Sequence, residues 1–181
     1  METVKKDCSM SMLKANLVLI PFMGVAYAAM LGVIYLVWGT VDSNGFFDSS
    51  WFWAFFIGGV VVHEAIHGIT WMIAGKIPSK EIKYGIAWKT LTPFAHSKIP
   101  MSKVAYQIGA VMPAILLGIL PFLIGLITGS VWVMYFGTLF TVMASGDALV
   151  LWMIKDVEED QLIEDHPSRA GCYVVTGIGG S

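Results

Sequence analysis

Four apolar stretches, 15–39, 51–75, 104–128 and 131–154, leave this chain of 181 residues few ways to fold. The first and third contain no charged residue, and the other two contain one carboxylate each, Glu64 and Asp147. A helix of about 20 residues crosses the roughly 30 Å of hydrocarbon in a bilayer, where only helices and closed barrels satisfy their own backbone. With 56% hydrophobic and 13% charged residues, the chain has too little polar surface to cover such stretches in water. The expected fold class is an all-α integral membrane protein with four transmembrane helices, in a single domain over 1–181. Pro21 falls near the start of the first stretch, where it is tolerated, and Pro113 should kink the third. The basic start and Ala26-Tyr27-Ala28 also resemble a signal peptide with its cleavage site. The apolar run continues to Trp38, well past the usual length, and favours a retained helix.

The connecting segments set the orientation. All eleven basic residues lie in Met1–Lys14, in Lys76–Lys103 or after Ile154, while Thr40–Ser50 and Gly129-Ser130 hold none. Lys and Arg accumulate on the cytoplasmic side, so four spans with both termini cytoplasmic, in the cell membrane, satisfy the pattern. Within the lysine-rich connection, Ile82, Tyr84, Ile86 and Trp88 alternate with Lys83, Gly85, Ala87 and Lys89. That period of two is expected of a half-buried strand, and with Thr90–Pro100 it predicts a short cytoplasmic β-hairpin between the second and third helices. The segment 155–181 reads as a polar cytoplasmic tail. No Lys/Arg run is interleaved with aromatics, which argues against nucleic acid as a partner. Cys8 and Cys172 lie near opposite ends in neither CxxC nor zinc-finger spacing, and suggest neither a disulfide framework nor a redox motif.

The second stretch carries His63, Glu64 and His67 in an HExxH pattern. On a helix the spacing i, i+4 puts both imidazoles on one face, able to reach one ion, with Glu64 beside them as a general base. An open catalytic zinc site takes three protein ligands and a water, so a third ligand is needed. Asp147 is the candidate. It lies seven residues before Ile154, as His67 lies eight before Gly75, and both are roughly 10–12 Å from the cytoplasmic ends of their helices. An ionised carboxylate in hydrocarbon must face the bundle interior and find a partner, and a divalent metal is one. Ala144, Ser145 and Gly146 before it are small, which would let the fourth helix approach the second. The alternative is that Asp147 hydrogen-bonds Gln107 or a hydroxyl and only fixes packing. His96 could reach the site as an oxyanion stabiliser or proton relay, or be a surface residue. His166, before Pro167, reads as a turn residue and the methionines as fillers of the apolar spans, while the Gly125/Gly129 pair fits either a helix contact or mere tolerance of glycine in membranes.

The motifs HEAIHG at 63–68, SGD at 145–147 and DHPSRAG at 165–171 resemble the putative zincin peptidase family, first catalogued as a domain of unknown function, over about Trp51 to Gly171. More loosely, they are similar to site-2-type intramembrane metalloproteases, which commonly present the third ligand as Asp-Gly where this chain has Gly146-Asp147. The resemblance implies Zn2+ held by His63, His67 and Asp147, with Glu64 as base.

Two functional classes follow. One is an intramembrane zinc metallopeptidase, a metalloendopeptidase of HExxH type, hydrolysing a membrane-associated protein or peptide at the cytoplasmic side of the lipid bilayer. The other is a non-catalytic metal-binding or partner-binding membrane protein. The few spans and the absence of a repeated half argue against a secondary transporter.

Overall fold

The structure, a computed structural model, describes residues 4–88, 92–166 and 168–176. Lys89, Thr90, Pro167 and the last five residues of the expected tail lie outside the described residues. Four helical rods, Met12–Trp38, Trp51–Ala74, Lys103–Thr128 and Val131–Met153, are long and apolar enough to cross a membrane, and their ends fall within three residues of those expected.

The first rod is one uninterrupted helix, α1 (Met12–Trp38). Ser11 caps it by accepting from the Lys14 amide, and Gly39 at φ 69° supplies the left-handed residue that ends it. Pro21 sits inside α1 without breaking it. The second rod is α2 (Trp51–Ala74).

The third rod is composite. It runs as α3 (Lys103–Pro113), a π-helical stretch (Ala114–Ile119) and α4 (Leu120–Thr128). Pro113 and Pro121 each lack an amide donor, and their rings push away the carbonyls of Gly109 and Leu117, four residues back. Between them the backbone widens, and the Leu120 amide reaches the Ile115 carbonyl. The kink expected at Pro113 takes this form. The fourth rod breaks at Ala144 into α5 (Val131–Met143) and α6 (Ser145–Met153), so Asp147 stands in the first turn of a new helix rather than inside a continuous one.

Glycines let the third and fourth rods touch backbone to backbone: Gly125 lies on Met134, and Gly137 on Gly118 and Phe122. Gly129 instead caps α4 at φ 71°. Gly146 faces open space, so its lack of a side chain serves no close helix contact, whereas Ala144 is buried.

The all-α expectation needs correction at the chain's polar segments. The hairpin between α2 and α3 is present as β2 (Ile82–Ala87) and β3 (Thr92–Ser97), antiparallel with Tyr84 opposite Ala95. Its alternation does not make it half-buried: Ile82 is buried, but Tyr84 and Ile86 are 48% and 45% exposed. A second sheet was not expected. β1 (Val4–Met10), β6 (Ala170–Thr176), β5 (Leu162–Asp165) and β4 (Met101–Ser102) form four antiparallel strands in the order β1-β6-β5-β4. The expected polar tail therefore carries two strands, which bury Ile163, Cys172, Val174 and Val175.

Two apolar cores result. One joins this sheet to the ends of the helices through Trp71, Ile77, Ile82, Met101, Tyr106, Ile154 and Ile163. The other, at the opposite end of the bundle, gathers Ile34, Phe46, Phe122, Met134 and Tyr135. Most of the remaining apolar surface of α1 is exposed, as lipid-facing surface would be.

Candidate metal centre

The helical spacing of α2 puts His63 and His67 one above the other on its buried face, with ring centroids 4.9 Å apart. Their Nε2 atoms are 3.2 Å apart. Asp147 enters from α6 with one oxygen for each ring: Oδ2 is 3.3 Å from His63 Nε2 and Oδ1 is 3.3 Å from His67 Nε2. Among the described residues these three form the one group of His, Cys, Asp and Glu side chains able to hold a metal ion. Among them, too, Asp147 meets the histidines and makes no hydrogen bond to Gln107.

His67 is oriented by a backbone carbonyl. Its Nδ1 is 2.9 Å from the Gly109 oxygen of α3. That oxygen has no helical partner, because the residue four positions later is Pro113. A carbonyl only accepts, so Nδ1 carries the hydrogen of the neutral ring, and the Nε2 lone pair is left pointing at His63 and Asp147. Trp71 stacks on the His67 ring at 5.6 Å, and Tyr106 stacks on Trp71 at 5.7 Å. Gly109 has no side chain because a Cβ there would strike the Trp71 indole. On the other side Phe140 lies 6.5 Å from the His63 ring. The His63 Nδ1 atom is buried with no partner among the described residues.

Do these residues fit zinc? Ligand atoms about 2.0–2.1 Å from a tetrahedral ion stand roughly 3.3 Å from one another. The two Nε2 atoms, 3.2 Å apart, match that spacing, and each lies 3.3 Å from its own oxygen of Asp147. One ligand atom from each of the three residues can be taken with all three within 4.8 Å of one another. The donor set of two imidazole nitrogens and a carboxylate suits zinc as well. The residues present fit the ion.

Glu64 follows His63 on α2 and is half-buried, near both histidines and Asp147. The backbone amide of Ala95, on the outer edge of β3, is directed at its carboxylate. His96 is elsewhere. Its Nδ1 lies 3.7 Å from Asp165 Oδ2, and it does not join the cluster. His166 is a turn residue as expected, its Nδ1 accepting from the amides of Ser168 and Arg169.

Asp165 was not singled out as a site residue by sequence reasoning. Buried at the end of β5, it accepts from the Ser97 amide of β3 at 2.9 Å and from the Tyr106 hydroxyl of α3 at 2.8 Å. Burial pushes its carboxyl above the usual carboxylate range in spite of these bonds. Its one signal in sequence is the DHP motif. Two carboxylates thus hold the outer edge of β3, Glu64 at Ala95 and Asp165 at Ser97.

Residues 56–162, more than half of the chain, match the family described as "Putative zincin peptidase", and the match takes in all three clustered side chains and Glu64. The chain belongs to that family. The segment shared with the putative zincin peptidases runs from within α2 through the hairpin to the first residue of β5, and β1 and β6 fall outside it. Comparison with curated proteins and with solved structures finds no match.

Proposed function

We propose that the chain is an intramembrane zinc metallopeptidase in which His63, His67 and Asp147 hold the ion and Glu64 is the general base. The observation that carries this is the convergence of two imidazole nitrogens of α2, 3.2 Å apart, on the Asp147 carboxylate of α6, one of its oxygens 3.3 Å from each ring, beside a carboxylate, Glu64, that is not among them. When bound, zinc lowers the pKa of a coordinated water to near 7 and polarises a carbonyl as a Lewis acid.

The chain's own residues supply the rest. The Gly109 carbonyl keeps the His67 ring turned so that its lone pair stays directed inward. Glu64 takes the proton of the attacking water and returns it to the departing amine. The amide of Ala95 holds that carboxylate in place. Trp71 and Phe140 wall the site with apolar rings.

Topology supports an intramembrane site. β1 precedes the first rod, β4 and the β2–β3 hairpin lie between the second and third, and β5 and β6 follow the fourth. Strands of one sheet share one side of a membrane, so an even number of crossings separates β1 from β4 and β4 from β5. The lysine-rich connections make that side the cytoplasmic one.

The substrate is a membrane-associated protein or peptide. A helix has its carbonyls occupied, so the cleaved segment is extended and adds to the outer edge of β2, the one turned away from β3. The Tyr84 hydroxyl of that strand lies on Gly68, the residue after His67.

The test is elemental analysis of the detergent-purified protein beside a cleavage assay. Wild type should carry close to one zinc per chain, Asp147→Ala far less, and Glu64→Gln should keep the zinc and lose all cleavage. Cleavage by Glu64→Gln would overturn the mechanism, and wild type without metal would overturn the site.

A further inference from the structure

Cys8 and Cys172 are 164 residues apart in sequence and directly opposite in the sheet, as Cα partners in the antiparallel pairing of β1 with β6. Directly opposed residues of an antiparallel pair stand about 4.5–5.5 Å apart at Cα and point to the same face. A disulfide needs a Cα separation of roughly 4.4–6.8 Å. Both cysteines are free thiols, Cys8 half-buried and Cys172 fully buried against the sheet core.

The surroundings favour a reversible bond over a permanent one. β1 is the edge strand of the sheet, held on one side only. Its ion pairs lie at the surface: Lys5 pairs with Glu164 of β5 at 2.8 Å, and the Arg169 guanidinium, just before β6, lies 3.8 Å from Asp7. On the far side of Cys172, the next residue in the same cross-strand row is Asp165, which holds both Tyr106 and the edge of β3. The thiol pair therefore adjoins the contacts that join the sheet to the hairpin beside Glu64.

We propose that Cys8 and Cys172 are a redox-responsive dithiol, which closes to a disulfide on meeting a low-molecular-weight disulfide such as oxidised glutathione and reopens with reduced thiol. Cys8, the more accessible thiol, loses its proton and attacks one sulfur of the oxidant, forming a mixed disulfide and releasing one thiol. Cys172 then loses its proton and attacks the Cys8 sulfur, releasing the second. Two cysteine thiols are oxidised and one external disulfide is reduced to two thiols, so atoms and electrons balance. Burial pushes the Cys172 thiol up to about 12, which keeps it protonated at neutral pH and leaves the first attack to Cys8. Neither cysteine belongs to the metal cluster, so the inference stands apart from the proposed peptidase activity.

The experiment treats the full-length protein in detergent with oxidised glutathione, blocks remaining thiols with N-ethylmaleimide under denaturing conditions, and reads the intact mass and the peptide map. Untreated protein should take up two maleimides. Oxidised protein should take up none and yield a peptide in which Cys8 is joined to Cys172, and dithiothreitol should restore both thiols. In Cys172→Ser the glutathione adduct on Cys8 should persist. A stable adduct on wild-type Cys8 with Cys172 still free, a disulfide between two chains, or no reaction at Cys8 would each overturn the proposal.

Discussion

At the scale of single residues, the site depends on a hydrogen that is missing. Pro113 cannot donate to the Gly109 carbonyl, and His67 takes that place. Pro113→Ala supplies a competing amide, and zinc affinity should fall roughly tenfold, the lower end of what loss of an outer hydrogen bond to a ligand costs. Competition against a chromophoric chelator measures it, with helix content unchanged in circular dichroism. Asp165 gives a second prediction. Asp165→Ala leaves the Ser97 amide and the Tyr106 hydroxyl buried without an acceptor, at about 1–3 kcal/mol each, whereas Asp165→Asn keeps an acceptor and should cost less in thermal melts. The folded carboxyl is raised above its unfolded value of about 3.9, so its protonation favours the folded state. That contribution is present below the unfolded value and is lost as pH rises through the folded one, and Asp165→Asn should flatten this limb of the stability profile. Spacing made His63 and His67 legible in the sequence, and matched depth along two helices made Asp147 legible. The Gly109 carbonyl was not, since no residue type marks an acceptor freed by an absent donor. Asp165 was not either, because in composition it resembles Glu158, Glu159 and Asp160 close by, which are exposed.

At the scale of elements, the helices were legible because hydrocarbon thickness fixes their length, while their interruptions were decided by contacts. Gly137 shows how tight these are. A Cβ there would lie 2.7 Å from the Gly118 carbonyl oxygen and from the Phe122 Cα, and backbone cannot turn aside as a side chain can. Gly137→Ala should therefore destabilise by about 1–3 kcal/mol, read as a lowered melting temperature of the detergent-solubilised protein. Gly146→Ala meets nothing within 4 Å and should leave stability equal or raised by about 0.5–1 kcal/mol, with zinc content unchanged. Strands were less legible than helices. β2 shows the period of two because Tyr84 and Ile86 project together, although much of both is exposed. β1, with Lys5, Lys6 and Asp7 in its middle, has no apolar alternation, because an edge strand is held by backbone pairing and its side chains need not be buried.

At the scale of the whole molecule, two distant helices hold one candidate ion and two sheets cover one end of the bundle. Zinc that binds only the folded chain stabilises it by about 2.7 kcal/mol at a free concentration one hundred times Kd. Removal by a chelator should lower the melting temperature, zinc should restore it, and Asp147→Ala should respond to neither. The sheet also sets an order of events during synthesis. β1 leaves the ribosome first, and its partner β6 follows some 160 residues later. At about 5–20 residues per second, β1 waits roughly 10–30 s with both edges unpaired while the apolar helices are made. A strand in that position would pair with any neighbouring chain if it were flat and apolar. The charges that hid β1 from a search for strands also discourage such pairing, and they keep it available for β6.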